Sequence, residues 1–396
     1  MPAQEAAEAR SSASLGKDLT SLLTDAAELP SNELIRVVDL VGRILGAESA
    51  RVLIADYALA SLQEVGNAGP TGPRLPVEGT LAGRAFARGD VVVSGTDPEV
   101  VWVPLAEGGE PLGVLELSHE AWTDEVHARL GPVVRVLVLI LISKRRFTDV
   151  VARGRRAEPL SLAAEMQWEL LPPLTCSTSR VSVSGILEPA YSMGGDSFDF
   201  AINPNRAEFA IIDSVGRGMS AVSISVVAIG SLRNARREGA ALETAYLSTG
   251  EVIEAQFGYS YFVTAQFGSL DLDTGQLTWL NAGHPPPLLV RDGTFIGELS
   301  CRPSMPMGLR GTVEEVATEK LQPGDRVLFF TDGVIETRSA DGELFGVSRL
   351  ADFLVRATLD EVSTAETVRR LSISTMAHGG ATLNDDASLL LIEYLG

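Results

Sequence analysis

Four acidic positions stand where apolar runs meet short polar or glycine-rich turns. Asp196 lies in Gly194-Gly195-Asp196, and Asp213 ends the run Ala210-Ile211-Ile212. Asp332 follows Val327-Leu328-Phe329-Phe330-Thr331, and Asp385 with Asp386 precedes the run from Ala387 to Ile392. A carboxylate where a buried strand ends is held by a rigid element yet stays open to ligands. Taken singly, each reads equally as a cap, because Asp readily accepts the free N–H groups of a helix start. The recurrence turns the reading toward a metal centre. With no His or Cys beside them, gathered carboxylates suit a hard cation, Mg²⁺ or Mn²⁺, and not zinc. Around Asp213 the turn Ser214-Val215-Gly216-Arg217-Gly218 can bring a carbonyl close to a cation, because glycine permits a sharp backbone turn.

The elements that must position these residues follow from periodicity. Strand patterns run from Arg180 to Gly185, Phe209 to Asp213, Tyr261 to Leu270, Gln276 to Asn281, Pro287 to Val290, Arg326 to Phe330 and Ala387 to Tyr394. Helical patterns run from Met219 to Arg237, Ala240 to Ala255, Val347 to Val355 and Thr364 to Met376. Runs of strands with helices outside them predict a layered α/β sandwich. Before it, a helical pattern ends at Pro172-Pro173, since proline cannot extend a helix. Leu160, Ala164, Gln167 and Leu171 recur there as a coiled-coil seam with Gln167 as its polar member. A polar seam residue lowers stability and fixes register, so this helix is either a bistable transmitter or a plain linker.

Upstream, Met1 to Gly16 is rich in Ala, Glu and Ser and reads as a disordered tail. Leu34, Val38, Val41 and Leu45 form a helical face, and strand signals follow at Ala50 to Ile54, Val91 to Val93, Val100 to Pro104 and Leu112 to Leu117. Val133 to Arg156 reads as one long helix, apolar and then basic. Its apolar part is interrupted by Arg135 and is shorter than the roughly 20 residues of a spanning helix, so a soluble protein is expected. His119 and His127 read as solvated surface residues.

The blocks Glu165-Met166-Gln167-Trp168-Glu169-Leu170-Leu171-Pro172, Gly194-Gly195-Asp196, Asp213 with its glycines, Asn281-Ala282-Gly283-His284-Pro285-Pro286-Pro287, Pro323-Gly324-Asp325, Thr331-Asp332-Gly333 and Asp385-Asp386 come in a diagnostic order. Together, from about Leu160 to the C-terminus, they resemble the metal-dependent PPM serine/threonine phosphatases of the bacterial SpoIIE and RsbU branch. The first part, with Gly79-Thr80-Leu81-Ala82-Gly83-Arg84-Ala85-Phe86 between strands, resembles a GAF domain. The resemblance implies an α+β chain: a tail over 1–18, a GAF-like sensor or dimerisation domain over 19–146, a helical connector over 147–173, and an α/β/β/α phosphatase sandwich over 174–396.

Two Mn²⁺ or Mg²⁺ ions and a water between them are implied as the catalytic apparatus. Asp213 would bridge both ions with the Ser214 carbonyl as an added ligand, Asp332 and Asp385 would complete one, and Asp196 would hold the other, mainly through water. Asp199 and Asp386 are supporting candidates or turn caps, His284 is a structural histidine of a tight turn, Asp325 is a turn residue, and Met305 to Leu309 is a packing loop. Relatives usually carry Gly-His-Gly where this chain has Gly216-Arg217-Gly218. Arginine stays protonated and cannot shuttle a proton, but its fork suits a substrate phosphate.

The implied substrate is a phosphorylated STAS-type anti-sigma-factor antagonist in a partner-switching pathway, with a small-molecule ligand at the GAF-like domain or a homodimer as the regulatory input. The alternative is a pseudophosphatase scaffold that binds its partner without hydrolysis. Composition fits both. The 396 residues carry a net charge of -20, which opposes nucleic acid or anionic membrane as partners. Cys176 and Cys301 are too few for a disulfide framework and point to a reducing cytoplasm. Neither is followed six residues on by Arg, since Ser182 and Met307 stand there, so a cysteine-nucleophile phosphatase is not expected.

Overall fold

The computed structural model describes residues 2–96, 98–119, 122–192, 194–380 and 385–396. They form two compact units, one of residues 1–107 and 111–158, the other of residues 108–110 and 159–396.

The first unit runs α1 (Pro2–Glu28), α2 (Leu34–Leu45), β1 (Ser49–Ala55), β2 (Ser61–Gly66), β3 (Gly69–Pro76), α3 (Leu81–Arg88), β4 (Val92–Val93), β5 (Glu99–Glu107), β6 (Glu110–His119), α4 (Asp124–Lys144) and α5 (Val150–Arg155). Its strands make one sheet in the order β3-β2-β1-β6-β5-β4. The stretch expected to be a disordered tail is helical instead. Its Ala and Glu are strong helix formers, and Leu22 and Ala26 lower down α1 are buried in the unit's core.

The helix expected to run unbroken to Arg156 stops at Lys144. Thr148 turns extended, and its hydroxyl accepts the Val150 N–H at 3.3 Å, a local bond that competes with helix continuation. By length and composition the stretch Val126–Phe147 could cross a membrane. Its Leu130, Val133, Leu137 and Val138 are packed into the unit's core. His119 is a correction to the sequence reading: it is 3% exposed, edge-on to the Trp122 ring at 5.4 Å, and burial lowers its pKa.

The second unit runs α6 (Leu162–Leu170), β7 (Thr175–Ser177), β8 (Val181–Glu188), β9 (Ser197–Asn203), β10 (Arg206–Ser214), α7 (Met219–Arg237), α8 (Leu242–Phe257), β11 (Val263–Asp271), β12 (Gln276–Ala282), β13 (Leu288–Arg291), β14 (Thr294–Glu298), β15 (Ala317–Lys320), β16 (Arg326–Phe330), α9 (Asp332–Glu336), α10 (Gly346–Leu359), α11 (Thr364–His378) and β17 (Ala387–Tyr394). Two antiparallel sheets result, β15-β12-β11-β10-β9 and β14-β13-β16-β17-β8-β7. Helices α7 and α8 cover the first, α10 and α11 the second.

Strand β10 is buried on both faces, as its apolar centre demands. Ala210 and Ile212 pack on Ile224, Ala228 and Ile229 of α7, while Phe209 meets Phe329 of the other sheet at 4.7 Å between ring centroids. The second unit is thus an α/β/β/α sandwich, as expected. Strand β9 was not expected. Phe198, Phe200 and Ile202 alternate along it with Ser197, Asp199 and Ala201, and the Asp199 carboxylate is 2% exposed between Arg233 and Arg236 of α7, at 2.7 and 2.5 Å.

The seam of Leu160, Ala164, Gln167 and Leu171 does not form a coiled coil. Helix α6 packs on α7 within the second unit, with Ala163, Ala164 and Gln167 as its buried residues.

Candidate metal centre

Antiparallel register assembles the centre. Pairing of Ile212 with Ser197 sets the start of β9 beside the end of β10, and pairing of Phe330 with Leu389 sets the start of β17 beside the end of β16. Asp196 directly precedes β9 and Asp213 is the penultimate residue of β10. Asp332 opens α9 right after β16, and Asp385 and Asp386 directly precede β17. Each sheet therefore delivers its acidic residues to one shared edge of the sandwich.

The supports are polar and buried. Asp196 is 2% exposed, and the Thr331 hydroxyl donates to its Oδ2 at 2.6 Å. Thr331 also accepts the Ser388 N–H at 2.9 Å, which ties the end of β16 to β17. The Asp386 carboxylate accepts the Gly194 N–H at 2.8 Å and the Asp196 N–H at 3.4 Å, pinning the loop that carries Asp196. Gly195 must be glycine, because a Cβ there would overlap the Ser214 carbonyl oxygen.

The Ser214 side chain turns away from the centre to Ser225 of α7 at 2.9 Å, and only its backbone is placed to serve a ligand. Behind Asp196, the fully buried Gln167 donates from Nε2 to the Asp196 carbonyl. Three residues on, at the C-terminal end of α6, the Leu170 carbonyl accepts from Arg233 Nη2 at 2.7 Å, so this end of the helix is held at two points.

The carboxylates act on one another. Burial, then the charges of Asp332, Asp385 and Asp386, push Asp213 up to about 7. Burial, then Asp213 and Asp386, hold Asp196 well above the ordinary carboxylate range. Asp332 is raised by burial and then by Glu336 and Asp385. Asp386 is raised by burial too, against the downward pull of the N–H groups it accepts.

Among the described residues, no three His, Cys, Asp or Glu side chains close into a finished ion cage. The carboxylates sit within charge range of one another without converging on a point, as like charges do. The donor set still fits a hard dication. It is all oxygen, partly desolvated and mutually repulsive, and a divalent cation offsets both penalties.

The other residues singled out in the sequence divide. Arg217 is near the cluster, its Nη2 3.7 Å from Asp385 Oδ2, with side chains 73% and 60% exposed. Asp199 caps no turn and supports no metal ligand, being spent on the two arginines of α7. His284 is 5% exposed, its Nδ1 lies 2.9 Å from the Thr264 hydroxyl, and burial drives its pKa down to about 3, which fits a structural role. Asn281 closes the turn around it through the His284 N–H at 2.8 Å and carbonyl at 2.9 Å. Asp325 accepts the Gln322 N–H in its turn and also binds Arg291 at 2.6 Å, at the end of β16 remote from Asp332. Met307 is 1% exposed and pairs with Val263 through the backbone, a packing role. Thr331 and Arg233 were missed as supports. The only signal for Thr331 was its place immediately before Asp332.

The sequence profile of the family described as Stage II sporulation protein E (SpoIIE) matches residues 203–395. The phosphoserine phosphatase RsbU of Bacillus subtilis (strain 168) is 24% identical over 244 residues, covering 59% of this chain and 69% of that protein. Protein IcfG of Synechocystis sp. is 25% identical over 240 residues, 53% of this chain and only 38% of that protein. The crystal structure of the RsbU and RsbW domains of Rv1364c from Mycobacterium tuberculosis aligns at 27% identity and a TM-score of 0.47, over 55% of this chain and 60% of that one. Profile, relative and the order of the acidic strand ends agree: residues 203–395 match the SpoIIE family, and the chain is similar there to a phosphoserine phosphatase.

Proposed function

We propose that the chain hydrolyses phosphoserine or phosphothreonine monoesters on a partner protein with the help of two divalent cations, Mn²⁺ or Mg²⁺. The observation that carries this reading is the delivery of Asp196, Asp213, Asp332 and Asp385 from two sheets to one edge, with three of the four pushed up by burial and by each other. Asp213, Asp332, Asp385, Asp196 and the Ser214 carbonyl would hold the ions. When bound, such ions supply an activated water and neutralise charge on the phosphoryl oxygens.

The chain's own residues do the rest. Thr331 and Asp386 fix Asp196 in place, Gly195 lets the Ser214 backbone approach, and Arg217 binds the phosphate of the incoming substrate through its two-pronged guanidinium. Turnover of p-nitrophenyl phosphate and of a phosphoserine peptide with Mn²⁺ tests this. Asp213→Asn should lower both by more than about 100-fold. A wild-type chain without metal-dependent turnover would leave the scaffold reading, which Arg217 favours by standing where relatives usually carry histidine.

The partner in this reading is a phosphorylated STAS-type anti-sigma-factor antagonist, in keeping with the likeness to RsbU. Regulation comes from the first unit, a GAF-like sensor or dimerisation module, through α6. Loss of phosphate from such an antagonist, followed by mass, is the direct check.

A further inference from the structure

We propose that a cleft beside the carboxylate cluster receives a side chain flanking the phosphorylated residue, and that it selects an apolar one. This rests on the phosphatase reading above. The cleft has a volume of about 420 Å³, within the roughly 300–1,000 Å³ of ordinary ligand sites.

It is continuous with the centre. Asp385, Asp386 and Arg217 line it, so a phosphoryl group held at the cluster places the adjoining peptide over this space. The other walls come from separate segments: Leu162 in the first turn of α6, Pro189 just after β8, and Met219 at the start of α7. Leu162 is 66% exposed and Met219 40%. A single exposed apolar residue needs no explanation. Here the first residues of two helices and a proline turn an apolar wall toward the same space, next to an arginine and two aspartates.

Charge sets the other half of the preference. The cleft shares its acidic residues with the centre, in a chain of net charge -20. An acidic neighbour of the phosphoserine would meet like charge, whereas an apolar one covers Leu162 and Met219. Arg217 is engaged by the phosphate in this arrangement and does not rescue an acidic flank. Because Leu162 belongs to α6, the helix behind Asp196 also forms part of the recognition surface.

The test uses the full chain with Mn²⁺ and short phosphoserine peptides in a Gly/Ser background, with a single Leu or a single Glu moved through each flanking position. Both kcat/KM and peptide binding by fluorescence anisotropy are read, with p-nitrophenyl phosphate as the flank-free substrate. One Leu position should raise kcat/KM about tenfold over the unsubstituted peptide, and Glu there should lower it. Leu162→Ser and Met219→Ser should each shrink that preference to within about twofold when rates are taken relative to p-nitrophenyl phosphate. Equal use of Leu and Glu peptides by the wild type, or a preference untouched by both substitutions, overturns the proposal. If p-nitrophenyl phosphate is not hydrolysed yet the Leu peptide still binds more tightly than the Glu peptide in a Leu162-dependent way, the cleft stands and the catalytic reading falls.

Discussion

Thr331 shows how one hydroxyl joins the two sheets at the centre, since it donates to Asp196 and accepts from the Ser388 backbone. Thr331→Val keeps the shape and removes the donor. It should weaken Mn²⁺ binding and turnover about 10- to 100-fold, the usual cost of losing a group that orients a ligand; titration calorimetry and steady-state rates check this. His284 makes a prediction of opposite character. Its folded pKa of about 3 lies below the ordinary value of 6.5, so the unfolded chain takes up a proton first. The stability of the neutral ring is complete above pH 6.5 and is lost as pH falls toward 3. At pH 5 the loss relative to neutral pH is about 2 kcal/mol. The raised carboxylates carry the reverse sign, so the comparison is with His284→Gln, whose stability in urea should gain about that much on the wild type between neutral pH and pH 5.

At the scale of elements, the ends of β10 and β16 and the start of β17 were legible because Asp and a turn bound an apolar run at each of them. Strand β9 was not, because Asp199 read as a supporting residue or turn cap and finds its reason as a buried strand residue only in Arg233 and Arg236 of α7, more than thirty residues away in sequence. The same holds for α6. Its spacing was legible as a seam, but which partner would fill it is a tertiary fact, and Gln167 met the Asp196 carbonyl. Gln167→Leu should leave the fold intact and lower turnover, since it removes the N–H that steadies the loop of Asp196; equal rates for variant and wild type would remove α6 from the mechanism. The disordered-tail reading of the N-terminus failed for a related reason, as Ala and Glu favour helix by propensity and Leu22 and Ala26 further along α1 are held in the core.

For the whole molecule, the second unit contains both sheets, all the acidic residues of the centre and its own apolar core. A fragment of residues 159–396 should therefore fold alone, with cooperative thermal unfolding by circular dichroism, and turn over p-nitrophenyl phosphate with Mn²⁺. Regulation by the first unit would then appear as a difference in rate between fragment and full chain.

The anchoring of the Gly194–Asp196 loop by Asp386 reaches beyond rate and affinity. Loop amides normally trade their protons with solvent within moments, but these are closed off by a half-buried carboxylate beside β17. In deuterium labelling of the native chain, Gly194 and Asp196 should keep their hydrogens as long as strand amides do, and Asp386→Ala should release them while leaving the protection of β10 in place.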